Sequence, residues 1–83
     1  MRRRADVIWR EVEGQVVGLD LRSSQYFSLN STAATLWDLL ADDVDRDELV
    51  RALVSAHDID PVRAEADVDQ FTQCLRDNGL VDG

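Results

Sequence analysis

Hydrophobic and polar residues alternate through the first third of the chain. Residues 7–13 alternate as in a half-buried strand, Gly14 allows a tight turn, and residues 15–21 fit the returning strand. After a polar turn, residues 25–29 predict a third strand. The pattern therefore predicts a three-stranded antiparallel meander whose first and third strands form its edges.

The third predicted strand is the most informative element, because it leads directly into a helix. Phe27 and Leu29 point to one face of the sheet, whereas Tyr26 and Ser28 point to the other. The strand comes last in the meander, so it is a candidate sheet edge. An edge that carries function usually does so by pairing with another chain.

Beyond residue 30 the apolar period changes to 3.6 and predicts three helices. The first has Asn30 or Ser31 as its N-cap, the second begins at Asp45, and the third begins at Asp60 with Pro61 at its first position. Each helix has one apolar stripe. The stripes are Ala33, Leu36, Trp37 and Leu40; Leu49, Val50, Leu53 and Val54; and Ala64, Val68, Phe71 and Leu75.

The end of the third helix has a recognisable stop signal. Asn78 and Gly79 supply a left-handed position after the helix, which lets Leu80 pack on Leu75 as in a Schellman motif. The whole chain is therefore expected to be one α+β domain, winged helix-turn-helix-like, with a three-stranded antiparallel meander followed by three helices. Residues 1–5 and 82–83 are expected to be disordered.

The charge is acidic and uneven. The 83 residues have a net charge of −8, and the whole acidic excess lies in the helical part after residue 29. Phosphate contacts require a basic face, so this distribution argues against nucleic acid as a partner. No apolar run approaches the ~20 residues that span a bilayer, and no signal peptide is visible, so a cytoplasmic monomer without membrane contact is expected.

Candidate chemistry is sparse. The chain has one histidine, His57, and one cysteine, Cys74, placed on different predicted helices. His57 fits a helix C-terminus, where its positive form is favoured, and Cys74 lies beside an apolar stripe as a small apolar residue. One histidine and one cysteine do not make a closed zinc site, and no glycine-rich phosphate loop is present. Neither catalysis nor a cofactor or metal is expected.

A winged-helix DNA-binding protein is the main alternative, because a meander with three short helices also fits that class. Such a protein inserts one helix into the major groove and presents basic or amide side chains to the bases. The third helix instead has four acidic residues against two arginines, which are Glu65, Asp67, Asp69 and Asp77 against Arg63 and Arg76. The predicted sheet edge therefore suits an extended peptide better than a polyanion.

The block from the third strand into the first helix closely resembles the PqqD-like family. The residues that carry the resemblance are Asp20, Tyr26, Phe27, Leu29, Asn30, Ala33, Ala34, Leu36, Trp37, Leu39 and Leu40. These proteins are leader-peptide recognition elements of pathways that modify ribosomally made peptides. The variant with this aromatic strand end is most similar to the stand-alone proteins of lasso-peptide clusters.

The resemblance implies a non-catalytic escort that binds the leader of a precursor peptide as an added antiparallel strand on the third strand. The bound leader is then presented to a papain/transglutaminase-like leader peptidase, and a macrolactam synthetase is a further expected partner. Carried onto this sequence, the strand contacts are Gln25, Tyr26, Phe27, Ser28 and Leu29. From the apolar stripe of the third helix, the expected contacts are Val68, Phe71, Cys74 and Leu75, with Asp67 or Asp69 facing a basic leader residue.

Two other functions stay open beside the DNA-binding one. A chaperone of the pyrroloquinoline quinone type shares the family but not the aromatic strand end. A general protein adaptor with an apolar groove differs from a leader-binding protein only in its ligand.

Overall fold

A computed structural model describes residues 1–82 of the chain. Eight elements follow one another in this range. They are strands β1 (Arg2–Arg3), β2 (Val7–Val12), β3 (Gln15–Asp20) and β4 (Gln25–Leu29), helices α1 (Ser31–Leu39), α2 (Arg46–His57) and α3 (Pro61–Asp77), and strand β5 (Val81–Asp82). The predicted order of three strands followed by three helices is confirmed. The short strands at the two ends were not predicted.

Strands β2, β3 and β4 form the main sheet, antiparallel and in sequence order. The β2–β3 turn consists of Glu13 and Gly14, whose φ angles are 52° and 79°. Positive φ at both positions is typical of a type I′ turn, the form that matches the twist of a two-residue hairpin. The sheet order places β4 at one edge, as predicted.

The helices begin at capping side chains that the sequence predicts. Asn30 accepts the amide of Ala33 at 2.9 Å and Asp45 accepts the amide of Glu48 at 2.9 Å. These side chains satisfy amide groups that have no partner inside the helix. Within residues 1–82, no helix is both long enough and apolar enough to cross a membrane.

The predicted Schellman motif closes α3. The amide of Leu80 donates to the carbonyl of Leu75 at 2.9 Å, and the amide of Gly79 donates to Arg76 at 3.1 Å. Gly79 has a φ of 65°, a conformation that glycine adopts without steric cost. Leu80 and Leu75 are both buried in the core. The chain therefore turns back sharply after α3 and enters β5.

The core lies between the inner face of the main sheet and the three helices of the described chain. Trp37 is at its centre and is fully buried. Its ring contacts Trp9 edge-on at 6.1 Å between centroids and Phe27 at 5.4 Å. The predicted stripes supply the rest of the fully buried helical core, including Leu36, Leu40, Leu49, Leu53, Ala64, Val68 and Leu75.

The disorder expected for residues 1–5 stays a prediction, and the structure places Arg2–Arg3 of this segment in a short strand. Arg2 and Arg3 pair with Asp82 and Val81 to form the terminal sheet, β1–β5. The Arg3 guanidinium lies 4.6 Å from the centroid of the Trp9 ring and donates to the Trp37 carbonyl at 2.7 Å. Stacking and ion pairing hold this segment where hydrophobic patterning gives no signal. Residue 82 has a strand backbone, and Gly83 lies outside the described residues.

Candidate functional site

Two pockets lie between β4 and α3, and together they are called the groove. Its distal section, with a volume of about 370 Å³, lies beside the end of β4 and the middle of α3. Its hairpin section, of about 320 Å³, lies beside the start of β4 and the end of α3. The distal section is lined by Ser28, Leu29, Asn30, Thr32, Ala33, Leu36, Arg63, Asp67, Gln70, Phe71 and Cys74. The hairpin section is lined by Asp20, Ser23, Gln25, Tyr26, Phe27, Asp77, Asn78 and Leu80.

Eight of the ten residues predicted to bind a peptide line this groove. Five of them border the distal section and three border the hairpin section: Ser28, Leu29, Asp67, Phe71 and Cys74, and Gln25, Tyr26 and Phe27. Cys74 is exposed, so its thiol is accessible from the groove. The structure thus places eight of the ten predicted residues along β4 and the facing side of α3.

The remaining two residues, Val68 and Leu75, do not line the groove. Both side chains are fully buried, with 0% of their surface exposed. They lie in the core behind the groove wall, because α3 turns its central apolar stripe towards the other elements of the core. In the structure these two side chains pack in the core and hold α3 in place.

Asp69, the alternative to Asp67 as an acidic contact, faces α2 instead. Its carboxylate accepts two hydrogen bonds from Arg46, at 2.7 and 3.1 Å. The hydrogen bond from Arg46 holds the pKa of Asp69 below its ordinary value. Asp67 does line the groove, 3.8 Å from Arg63 one turn earlier on α3. Of the two acids, Asp67 is therefore the one placed to meet a ligand.

The sequence reasoning missed Arg63 and Gln70, two lining residues of α3 that share a visible signal with the predicted contacts. Arg63, Asp67, Gln70, Phe71 and Cys74 recur at spacings of four, three, one and three along α3. This spacing marks a helical face next to the core stripe. The sequence predicts Asn30 only as a helix cap, yet this residue also lines the distal section.

The alternation of hydrogen bonds across the main sheet determines which backbone groups of β4 are free to pair with a ligand. The amide of Leu21 donates to the carbonyl of Asp6 at 3.2 Å, just beyond the ends of β2 and β3. Successive residues of a strand direct their N–H and C=O groups to opposite sides, so this bond fixes the alternation along β3. The odd-numbered residues of β3 bond to β2, and the even-numbered residues bond to β4.

The register then assigns the backbone groups of β4. The even-numbered residues of β3 are paired with Gln25, Phe27 and Leu29. We infer that the backbone groups of Tyr26 and Ser28 point away from β3, to the side where a further strand would pair. An added strand would place the residues opposite Phe27 on the core side of the sheet, and those opposite Tyr26 and Ser28 on its outer face.

Phe27 and Tyr26 have opposite environments, as their alternation predicts. Phe27 is partly buried against Trp37, whereas 83% of the surface of Tyr26 is exposed. Tyr26 also borders a shallow depression on the outer face, together with Ile8 and Leu19, its neighbours across the sheet. Tyr26 is therefore a large aromatic side chain at the edge that packs against little of its own chain.

An ionic cluster closes the hairpin end of the groove. The buried carboxylate of Asp20 accepts hydrogen bonds from the Arg4 guanidinium and, at 3.0 Å, from the Arg22 amide. Burial opposes ionisation of this carboxyl, but the hydrogen bonds from Arg22 and Arg4 outweigh that effect and hold the pKa of Asp20 below its ordinary value. Asp20 is thus a charged structural residue at this end of the groove.

The comparison with protein families decides the classification. The family model described as coenzyme PQQ synthesis protein D (PqqD) matches residues 15–81. The chain belongs to the PqqD family. The match spans the main sheet from β3 onwards and the three helices of the described residues, so it includes both walls of the groove. No curated protein matches the sequence.

Two solved structures are similar over nearly the whole chain. One is described as TbiB1 in complex with the TbiA(beta) leader peptide, with 26% identity, a TM-score of 0.89, and coverage of 100% of this chain and 96% of the other. The second is described as lasso peptide synthetase B1 complexed with the leader peptide, with 28% identity, a TM-score of 0.82, and coverage of 99% and 96%. The family member described here therefore shares its fold with proteins that bind leader peptides.

Proposed function

We propose that this PqqD family member binds the leader of a ribosomally made precursor peptide, of the lasso-peptide class, as an added antiparallel strand on β4. The observation that carries the proposal is the groove itself. An edge strand with outward backbone groups at Tyr26 and Ser28 faces a helix across a gap that is apolar at its base. The two similar structures, both of which hold leader peptides, support the same ligand class.

The groove supplies two kinds of affinity. Backbone hydrogen bonds to β4 bind an extended chain whatever its side chains, and side chains on alternate residues enter the groove and give selectivity. In the distal section, Leu29, Leu36 and Phe71 accept apolar leader residues, and Asp67 accepts a basic one.

The protein acts as an escort in this proposal, and the chemistry belongs to its partners. The bound leader is delivered to a papain/transglutaminase-like leader peptidase, and a macrolactam synthetase then acts on the released core peptide. An added strand leaves the far end of the precursor outside the groove, where a second protein can reach it. The protein itself needs no cofactor for this role.

Amide hydrogen exchange tests the docking mode directly. One probe is a synthetic leader made from whichever short precursor reading frame adjoins the gene for this chain, and the second probe is the TbiA(beta) leader. The amides of Tyr26 and Ser28 exchange readily in the free protein and become protected in the complex, whereas Phe27 is protected in both states. The opposite edge is the internal control: the amides of Trp9 and Glu11 on β2 gain no protection.

Two results would contradict the proposal. If neither probe binds, leader recognition is wrong for this chain. If the leader binds but protection appears along β2, or not at Tyr26 and Ser28, the docking edge is wrong. Delivery is tested separately by the rate at which the leader peptidase cleaves the precursor, which should rise when the protein is added and remain unchanged when a non-binding variant is added.

A further inference from the structure

Arg4 links three parts of the chain that are distant in sequence. Its side chain is buried, with 6% of its surface exposed. One terminal nitrogen of the guanidinium donates to the Asp20 carboxylate and the other donates to the Gly79 carbonyl, while Nε donates to Asp6 at 2.8 Å. A single planar group therefore holds partners from β3, from the loop before β2 and from the turn after α3.

Two of these partners belong to opposite walls of the groove. Asp20 lines the hairpin section on the sheet side. Gly79 directly follows Asn78, which lines the same section on the helix side. The guanidinium of Arg4 therefore spans the groove walls at this end.

Direct packing between the walls does little to fix their separation. Helix α3 packs chiefly on α2, and β4 packs chiefly on β3. At the distal section, Phe71 and Leu29 belong to the core or pack against it, which fixes that end. At the hairpin section, Phe27 and Leu80 also pack in or against the core, and the Arg4 guanidinium adds a polar link between the two walls.

We propose that Arg4 is a positioning residue that sets the width of the hairpin section and thereby the affinity for the leader. This inference rests on the function proposed above. A guanidinium presents several donors in a rigid plane and can hold two acceptors at a fixed separation, whereas a lysine ammonium is a point charge on a flexible stem. Arg4 is not expected to touch the leader itself.

Loss of the guanidinium releases both walls. The Asp20 carboxylate keeps the Arg22 amide but loses its buried cation, and the Gly79 carbonyl loses its donor. The turn after α3 then keeps fewer contacts with the sheet side, chiefly the backbone hydrogen bond from the Arg4 amide to the Leu80 carbonyl and the β1–β5 pairing. A leader that must pair with Tyr26 while its side chains contact the helix wall should dissociate faster.

The test compares Arg4→Gln and Arg4→Lys with two controls. Arg46→Gln removes another arginine that pairs with a carboxylate and ties α3 to its surroundings, but Arg46 does not line the groove. Leu53→Ala opens the core within α2 and lowers the melting temperature, and Leu53 lines neither section of the groove. Binding of the labelled synthetic leader is measured by fluorescence anisotropy, at a temperature where circular dichroism shows every variant to be folded.

Both Arg4 variants should bind the leader at least about tenfold more weakly, corresponding to 1.4 kcal/mol. Both controls should bind like the wild type. Amide exchange in the Arg4→Gln complex adds a position-specific readout: protection at Tyr26, in the hairpin section, should fall, while protection at Ser28, in the distal section, is kept. If Arg4 had a purely structural role, the Arg4→Gln variant would lose protection equally at Tyr26 and at Ser28.

Three outcomes separate the possibilities. If the wild type binds and the Arg4 variants bind equally well, the positioning role is wrong. If the Leu53→Ala variant loses as much affinity as the Arg4 variants, general destabilisation explains the effect and the positioning role is again wrong. If the wild type does not bind, the proposed function fails first and the role of Arg4 in leader binding falls with it.

Discussion

The ring of Phe27 lies over the α-carbon of Gly18, its direct partner on β3. A β-carbon at position 18 would overlap this ring. The absence of a side chain lets Phe27 lie flat across the sheet and reach Trp37. Gly18 does not adopt a left-handed backbone conformation. The position therefore requires glycine for the space that the Phe27 ring occupies, and not for backbone freedom.

Replacing Gly18 with alanine should therefore displace Phe27 and disturb β4. We expect a loss of roughly 1–3 kcal/mol in the free energy of unfolding, as for other overpacked cores. Urea unfolding measures the loss, and the near-ultraviolet circular dichroism of the aromatic cluster should change with it. Val17→Ala, on the outer face of the same strand, is the matched control and should change stability by a few tenths of a kcal/mol. An unchanged Gly18→Ala variant would contradict this packing.

Proline scanning of β4 should distinguish its two sets of backbone groups. Ser28→Pro removes an amide that points to the open side, so the fold should survive while leader binding falls about tenfold or more. Phe27→Pro removes an amide that bonds to β3 and should unfold the domain or strongly destabilise it. Ser28→Ala keeps the amide and controls for loss of the hydroxyl.

Circular dichroism measures whether each proline variant is folded, and fluorescence anisotropy measures its affinity for the labelled leader. If Ser28→Pro and Phe27→Pro are equally unfolded, the alternation inferred for β4 is wrong. If Ser28→Pro is folded and binds like Ser28→Ala, the backbone of Ser28 is not part of the docking edge.

Tyr26 should contribute to binding without contributing to stability. Because most of its surface is exposed, Tyr26→Ala should change the free energy of unfolding by no more than about 0.5 kcal/mol. If the side chain anchors the leader, binding should weaken by ~1–3 kcal/mol. Val62→Ala removes another exposed apolar side chain, on the first turn of α3, and should leave binding unchanged. Equal affinities for the two variants would exclude Tyr26 as an anchor.

Phe71 offers the complementary case, because it is a core residue that also lines the groove. Phe71→Ala should lower stability by ~3–5 kcal/mol, a large part of the total for a domain of this size. Phe71→Leu keeps most of the packing and is the better variant for binding. Phe71→Leu should weaken leader binding at a temperature where the variant is folded. Fluorescence anisotropy with the labelled leader measures this change in affinity.

The Arg4–Asp20 pair should make stability depend on acid pH. The pKa of Asp20 is lower in the folded protein than its ordinary value of 3.8, and a hydrogen bond from Arg4 lowers the pKa of Asp6 as well. A carboxyl group with a depressed pKa stabilises the folded state above its unfolded-state value, and this contribution is lost as the pH falls through the folded-state value. The free energy of unfolding should therefore decline below about pH 4.

Urea unfolding between about pH 2.5 and 6 measures this decline. Asp20→Asn should be less stable than the wild type at pH 6 and should show a flatter decline. Arg4→Gln removes the cationic partner of the same pair, so the decline in the free energy of unfolding should be flatter in this variant as well. A decline of unchanged slope in both variants would show that other carboxyl groups dominate acid unfolding.

The elements of this fold that follow local rules are predictable from the sequence. Asn30, Asp45 and Gly79 lie where capping chemistry and left-handed backbone conformation require them, and the structure confirms each one. The edge position of β4 is also predictable, because sequential hairpins make the first and last strands the edges of a meander. These features depend on neighbours within a few residues.

The features that depend on distant partners are not predictable in this way. Arg2–Arg3 has no hydrophobic period, and it becomes a strand only because the turn after α3 brings Val81 beside it. The stripe of α3 is predictable, but the rotation that buries Val68 and leaves Phe71 at the groove wall depends on how α3 sits against the rest of the core. Sequence reasoning therefore finds the groove walls more reliably than it assigns the residues on each wall.

The terminal sheet also has a consequence for protein engineering. Because Arg2 lies opposite Asp82 in an antiparallel pair, these two residues near the ends of the sequence lie side by side. A short linker should be able to join them, and new ends could then be opened in the turn at Glu13 and Gly14, away from the groove. The same geometry suits insertion of the whole domain into a surface loop of a carrier enzyme, which would give that enzyme a leader-docking module with both connections on one side.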